Sequence, residues 1–270
     1  MNEKQASLQQ LLRRALLAQR ELGMDEVVID RSRLNRSRTS DLSMGAVPGQ
    51  VVSVEDSLRA EKVRSEATTM YPSATEGAFT MTTSPAFESL ASHREAICTC
   101  RLCPLGDTRT KFVYGVGNPK ADILFIGEAP GRDEDLKGEP FVGRAGQLLD
   151  KILAAIQLSR EQVYIANILK CRPPGNRDPQ PDEMEQCFGY LREQVRLIQP
   201  KLICALGRIA GQALLKTTTP LGKLRGAWHQ YEGIPLLLTY HPAALLRFPQ
   251  YKRETWADMQ MLKARYDMER

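Results

Sequence analysis

Four short, uninterrupted apolar runs separated by stretches of helical periodicity restrict this chain to one kind of architecture. The runs are DILFIG (122–127), VYIANI (163–168), LICAL (202–206) and PLLLTY (235–240). A strand with one wet face alternates apolar and polar residues, so runs without alternation predict strands covered on both faces, as in a parallel sheet. Segments 143–157, 182–198 and 208–215 have the length and spacing of crossover helices, with Pro181 suited to a helix's first position, and 251–268 predicts a closing helix. The expected fold is α/β: a three-layer α/β/α sandwich around a short, mostly parallel, four-stranded central sheet. In such sheets the strand exits converge on one crevice, where residues far apart in the chain line a single pocket.

The alternation begins only near Phe87. Leu8, Leu11, Leu12, Ala15, Leu16 and Leu17 predict an amphipathic helix within residues 1–24. Residues 25–86 are rich in Ser, Thr, Arg, Ala and Gly and poor in large apolar side chains, a composition that cannot offset the entropy of ordering. The reading is therefore an N-terminal helix (1–24), a flexible linker (25–86) and an α/β domain (87–270), the first two forming a largely disordered extension. Nothing in 1–86 names a protein partner. With no run of eighteen apolar residues and a start that mixes Glu, Lys, Gln and Arg, a soluble, cytoplasmic, monomeric protein without a membrane segment is expected. Residues 1–87 carry 11 basic and 11 acidic side chains, so the net charge of +5 lies wholly in 88–270. That excess suits a polyanionic partner such as DNA and is too small to establish one.

Six cysteines in 270 residues are too few for a disulfide scaffold, but four of them are spaced for a metal. Cys100 and Cys103 form a C-x-x-C pair; Cys171 ends an apolar run before the rigid Arg172-Pro173-Pro174-Gly175-Asn176-Arg177 loop, and Cys187 falls in the following helix. Spacing alone leaves an iron–sulfur cluster, zinc and no metal all open. Cys98 is an alternative ligand, and Cys204, inside LICAL, reads as core.

Polar and glycine-rich residues stand at the exits of the runs: Gly127-Glu128-Ala129-Pro130-Gly131 after the first, Asn167 at the end of the second, His241-Pro242 after the fourth. Gly115-Val116-Gly117 lacks the third glycine and the preceding strand of a dinucleotide loop, and no G-x-x-x-x-G-K-[ST] phosphate loop occurs. The segments CRLCPLGDTRT, GEAPGRDED, GEPFVGRAGQLLDKIL, NILKCRPPGNRDP and HPAALLR follow in that order. Together, over residues 98–266, they resemble the uracil-DNA glycosylase superfamily, most closely family 4, its iron–sulfur-containing branch.

The resemblance implies a hydrolase that cleaves the N-glycosidic bond of deoxyuridine in single- or double-stranded DNA, leaving an abasic site for base excision repair. It also implies a [4Fe-4S] cluster, with zinc as the alternative, on Cys100, Cys103, Cys171 and Cys187. Such an enzyme takes its base out of the stack, and the resemblance assigns the grip. Phe141 stacks on the base, Asn167 reads its edge, His241 stabilises charge growing on O2, and Gly127, Glu128 and Ala129 border the uracil and its water. His241, Asn167 and Glu128 are the expected catalytic residues. Ala129 stands where other superfamily members carry an aspartate, so the usual water-activating carboxylate is missing. Glu134 is expected at the pocket, Asn176, Arg177 and Arg247 at the pocket rim or DNA backbone, and Leu245 as a wedge into the space the base leaves. At the head of a short helix, His241 is expected to stay neutral. The competing reading is a catalytically weak iron–sulfur module that binds DNA or senses damage.

Overall fold

The four apolar runs form the middle of a single sheet in a computed structural model that describes residues 87–269; the N-terminal helix and linker expected in 1–86 lie outside the described residues. In chain order the elements are α1 (Leu90–Ile97), α2 (Leu105–Thr108), β1 (Val116–Gly117), β2 (Ile123–Gly127), α3 (Arg132–Lys137), α4 (Arg144–Ala155) and β3 (Tyr164–Asn167). They continue with α5 (Pro181–Ile198), β4 (Leu202–Leu206), α6 (Arg208–Leu215), α7 (Leu221–Leu224), β5 (Trp228–Tyr231), β6 (Ile234–Thr239), α8 (Pro242–Arg247) and α9 (Lys252–Met268).

The sheet has six strands, not four, in the order β1-β3-β2-β4-β6-β5. The central pairs β3–β2, β2–β4 and β4–β6 are parallel, as expected. The two additional strands are antiparallel edges, β1 against β3 and β5 against β6. Neither carries a continuous apolar run: β1 is two residues long, and β5 (WHQY) is mostly part-exposed. An edge strand has no second neighbour and often one wet face, so the pattern that marks a doubly covered strand is absent. The β5–β6 hairpin turns at Glu232 and Gly233, both at positive φ, the geometry a two-residue hairpin loop demands.

Alternation along the central strands divides the core between the two faces. Ile123, Phe125, Ile165, Cys204 and Leu237 pack with Leu149, Ile152 and Leu153 of α4 and Trp256, Met259 and Leu262 of α9. Leu124, Ile126, Ala166, Ile203 and Leu238 meet Leu191, Val195 and Ile198 of α5 and Leu214 of α6. α9 is also tied to the β6 exit by Asp258, fully buried, whose carboxylate accepts from Arg225 at 3.0 and 2.8 Å and from the Thr239 hydroxyl at 2.8 Å. Thr239 stands two residues before His241, so this tie fixes the strand end that carries it. Among the described residues no helix is long and apolar enough to cross a membrane.

Candidate active site

Parallel pairing brings Gly127 at the end of β2 level with Asn167 at the end of β3. A Cβ added to Gly127 would lie 2.3 Å from Asn167 Oδ1 and 2.7 Å from Phe141 Cζ, so the glycine is the floor on which carboxamide and ring meet. Asn167 is 2% exposed, and no protein group donates to its Oδ1. Leaving a buried acceptor without a donor is costly, which marks the spot as one shaped for something other than the protein's own packing. The Phe141 ring, in turn, lies 5.4 Å from the His241 ring, centroid to centroid and tilted by 31°. Gly207, at the exit of β4, approaches His241 from the other side. Phe141, Asn167 and His241, drawn from three parts of the chain, thus surround one spot at the sheet edge.

His241 is the N-cap of α8, and its Nδ1 accepts from the Ala243 amide at 3.1 Å. That bond places the ring proton on Nε2 in the neutral form. Burial pushes the imidazole down to about 4, opposed by the Glu134 carboxylate and assisted by the Arg247 charge. The expected neutral histidine is present, held neutral chiefly by desolvation.

Glu134 does not open into the pocket as a bare carboxylate. Oε1 accepts from the amides of Val142 at 2.9 Å and Gly143 at 3.0 Å, and Oε2 from Gly131 at 3.1 Å, so the side chain braces the loop carrying Phe141. Glu128, one residue before Ala129, is half-buried, and its carboxyl is raised to about 7 by desolvation and then by the Asp178 charge, with Arg208 opposing.

Arg177 and Leu245 have partners within the protein. Arg177 is engaged by Glu183 at 2.9 and 2.5 Å, and the same carboxylate accepts from the Gln180 amide at the head of α5. Its guanidinium, still exposed, is thus paired with a carboxylate of the same chain. Leu245 is 1% exposed and packs in the core with Ile152, Trp256 and Met259, so it is no wedge in this conformation. The helix phase of α8 turns Leu245 inward, whereas its neighbours Leu246 and Phe248 are 41% and 48% exposed, with Arg247 exposed between them. Asn176 lies exposed in its loop at a φ of 56° and accepts from Arg172 Nε at 2.7 Å.

None of the six cysteines is in a disulfide, and four share one neighbourhood. Cys171 and Cys187 are buried in the core layer against which Cys103 packs. The thiol of Cys171 feels Cys103 and Cys100, and that of Cys187, pushed up to about 11 by burial, feels Cys171 and Cys103. Arg109 donates to Cys171 Sγ at 3.3 Å and to the Cys100 and Cys98 carbonyls at 2.6 and 3.1 Å, and Tyr190 donates to Cys100 Sγ at 3.2 Å. Cys98 instead donates to the Glu95 carbonyl at 3.3 Å, and Cys204 sits in the opposite core layer. Among the described residues no three or more His, Cys, Asp or Glu side chains close on a single metal ion. Four thiols, with Arg109 and Tyr190 donating to two of their sulfurs, are a donor set of the kind that holds a thiolate-ligated metal group.

Lys170, next to Cys171 in the chain, ties the end of β3 to α5. Its fully buried amino group, with its pKa lowered to about 7 by desolvation, donates to the Asn167 carbonyl at 2.7 Å and to Gln194 Oε1 at 2.6 Å, while Gln194 Nε2 donates to the Tyr114 carbonyl at 2.9 Å. Spacing alone left Lys170, Gln194, Arg109 and Gly207 unmarked, because each acts on a partner distant in sequence or on main chain.

A family model for the uracil DNA glycosylase superfamily matches residues 114–260, which contain the whole pocket. The chain belongs to that superfamily. Within it, the type-4 uracil-DNA glycosylase of Archaeoglobus fulgidus is 48% identical over 183 residues, covering 65% of this chain and 92% of that protein. The type-4 uracil-DNA glycosylase of Thermotoga maritima is 43% identical over 155 residues, 57% of this chain and 81% of that protein. The type-5 uracil-DNA glycosylase of Thermus thermophilus is more distant, at 31% over 153 residues, 45% of this chain and 69% of that protein. The superfamily membership and the stronger type-4 similarity agree with the resemblance drawn from the five sequence segments, and the matched range spans the exits of β2, β3 and β6.

Proposed function

We propose that this protein is a uracil-DNA glycosylase of family 4, hydrolysing the bond between uracil and deoxyribose in DNA and leaving an abasic site for base excision repair. The observation that carries the reading is the meeting of an aromatic ring, a buried unpartnered carboxamide and a neutral imidazole around Gly127. In this proposal the flipped base stacks on Phe141. The Asn167 carboxamide accepts from uracil N3–H and donates to O4, a pattern that cytosine reverses. As the glycosidic bond lengthens, negative charge collects on the base, and the Nε2–H of His241 donates to O2. A neutral donor in a dry site stabilises that charge without having to transfer a proton, and one such donor is worth a hundredfold or more in rate. Glu128, ionised above about pH 7, holds the attacking water, a task for which Ala129 has no side-chain oxygen.

Cys100, Cys103, Cys171 and Cys187 would hold a [4Fe-4S] cluster. The all-thiol donor set, with Arg109 and Tyr190 donating to its sulfurs, fits such a group. Bound there, a cluster would cross-link the C-x-x-C turn to the segment after β3 and to α5, and hydrolysis needs no electrons from it. Residues 87–270 make up the catalytic unit. On the rim, the exposed Leu246, Arg247 and Phe248 are the groups that meet DNA, with Asn176 across the loop.

The deciding experiment is release of free uracil from single-stranded and U:G oligonucleotides. We expect turnover by the wild-type protein and a loss of at least about a hundredfold in His241→Ala, with the visible iron–sulfur absorbance retained. Intact substrate at equimolar wild-type protein would favour a DNA-binding module instead, and wild-type rates in His241→Ala would overturn the assigned role.

A further inference from the structure

Phe141 has a left-handed backbone, with φ at 54°, a conformation that a bulky L residue keeps only when its surroundings impose it. The imposing groups are visible. Arg160, just after α4, donates from Nη1 to the Phe141 carbonyl at 3.0 Å and from Nη2 to the Pro140 carbonyl at 2.7 Å. Its Nη1 also donates to Asp150 Oδ1 at 3.0 Å, on the exposed side of α4. On the other side of the loop, Glu134 accepts from the next two amides, Val142 and Gly143. Two successive carbonyls are therefore fastened to a cation and the following two amides to an anion. Between them the Phe141 carbonyl rests against Gly146, where a Cβ would lie 1.8 Å from the oxygen, so no other residue fits there without moving the loop.

We infer that Arg160, backed by Asp150, is a positioning residue that fixes the Phe141 ring against Gly127 and His241 by clamping the carbonyls of residues 140 and 141. A planar guanidinium serves both carbonyls and the carboxylate from two nitrogens held in a fixed fork, a spread that the single nitrogen of an ammonium does not match. Freed of the clamp, the loop relaxes from its left-handed turn and carries the ring away from the stacking position. Arg160 touches neither base nor reacting bond in this scheme. Its effect on catalysis rests on the uracil reading above, whereas its effect on the ring does not.

The test pairs kinetics with a direct view of the ring. Arg160→Gln should slow single-turnover excision by about ten- to a hundredfold, the range expected for a misplaced positioning group, with Arg160→Lys intermediate. In a Phe141→Leu background the same change should cost less than about twofold, because two changes acting through one group do not add. In nuclear magnetic resonance spectra, Arg160→Gln should shift the Phe141 ring resonances and the Val142 and Gly143 amides while the β2 and β4 amides stay in place. Should Arg160→Gln fail to fold, Arg160→Lys and the milder Asp150→Asn carry the same comparison. Full multiplication of the two effects, or unmoved ring resonances, would overturn the inference. Absence of uracil release by the wild-type protein would sink the functional reading alone, since the resonances still decide the clamp.

Discussion

Replacing Gly127 by alanine adds a single methyl group where the structure leaves no room. The backbone at Gly127 is ordinary strand, so the cost is steric and not conformational. The new Cβ would stand 2.3 Å from Asn167 Oδ1 and 2.7 and 2.8 Å from two atoms of the Phe141 ring, whereas ordinary contact begins at 3.4 Å, so carboxamide or ring must retreat by about 1 Å. Neither retreats freely: Asn167 and Phe141 are 2% and 5% exposed, and the Phe141 loop is bonded to both Arg160 and Glu134. Misplacing a positioning group by 1 Å can cost about a hundredfold in rate, equivalent to about 2.7 kcal/mol of barrier. Overpacking by a methyl costs roughly 1–3 kcal/mol of stability, a fall of several degrees in a domain of this size. Gly127→Ala should therefore stay folded at the assay temperature and lose about two orders of magnitude in single-turnover uracil release. Thermal melts run beside the kinetics separate the two effects. Excision within threefold of wild type would mean that the base does not sit against Gly127, Asn167 and Phe141.

Because the Glu128 carboxyl is raised to about 7, it is protonated below that pH and ionised above it. If its carboxylate holds the water, the rate of the chemical step should climb about tenfold per pH unit and level off near pH 7. Glu128→Gln should abolish that limb, while His241, neutral above about pH 4, adds none between pH 5 and 8; a limb near 6.5 surviving in Glu128→Gln would refute the assignment. Leu245→Ala should lower stability by about 2–5 kcal/mol through a core cavity, measured by denaturant unfolding. Leu246→Ala and Phe248→Ala should leave stability nearly unchanged and slow excision from duplex more than from single strands, and equal effects on both substrates would remove them from the proposed DNA contact. Cys171→Ser should lose the visible iron–sulfur absorbance and metal content, and retention of one iron–sulfur cluster per chain would show that Cys171 is not a ligand.

How much of this was legible beforehand depends on where each residue's partners lie. The DILFIG, VYIANI, LICAL and PLLLTY runs announce themselves because a strand covered on both faces has to be apolar along its whole length. The crossover helices, the convergence of the strand exits, and the Asn167 and His241 positions follow from that pattern and from the motif segments. β1 and β5 stay hidden because edge strands bury too little to leave a continuous signal. Glu134 was legible as an acid near the pocket, yet its three amide partners only become neighbours once α3 and the Phe141 loop fold together.

The chain's order of residues determined the layers, the polar groups at the strand exits and the spacing of the four cysteines, since hydrophobic patterning and residue type are properties of the string itself, while the part played by Phe141 and Glu134 came from the resemblance of the five segments. Tertiary structure alone decided that Leu245 turns inward while Leu246 and Phe248 face solvent, that Arg177 spends its charge on Glu183, and that Arg160 grips carbonyls 19 and 20 residues away. The reason is physical. Helix phase is set by what the helix packs against, and a guanidinium that bonds main chain recognises a shape, which no pattern of side chains encodes locally.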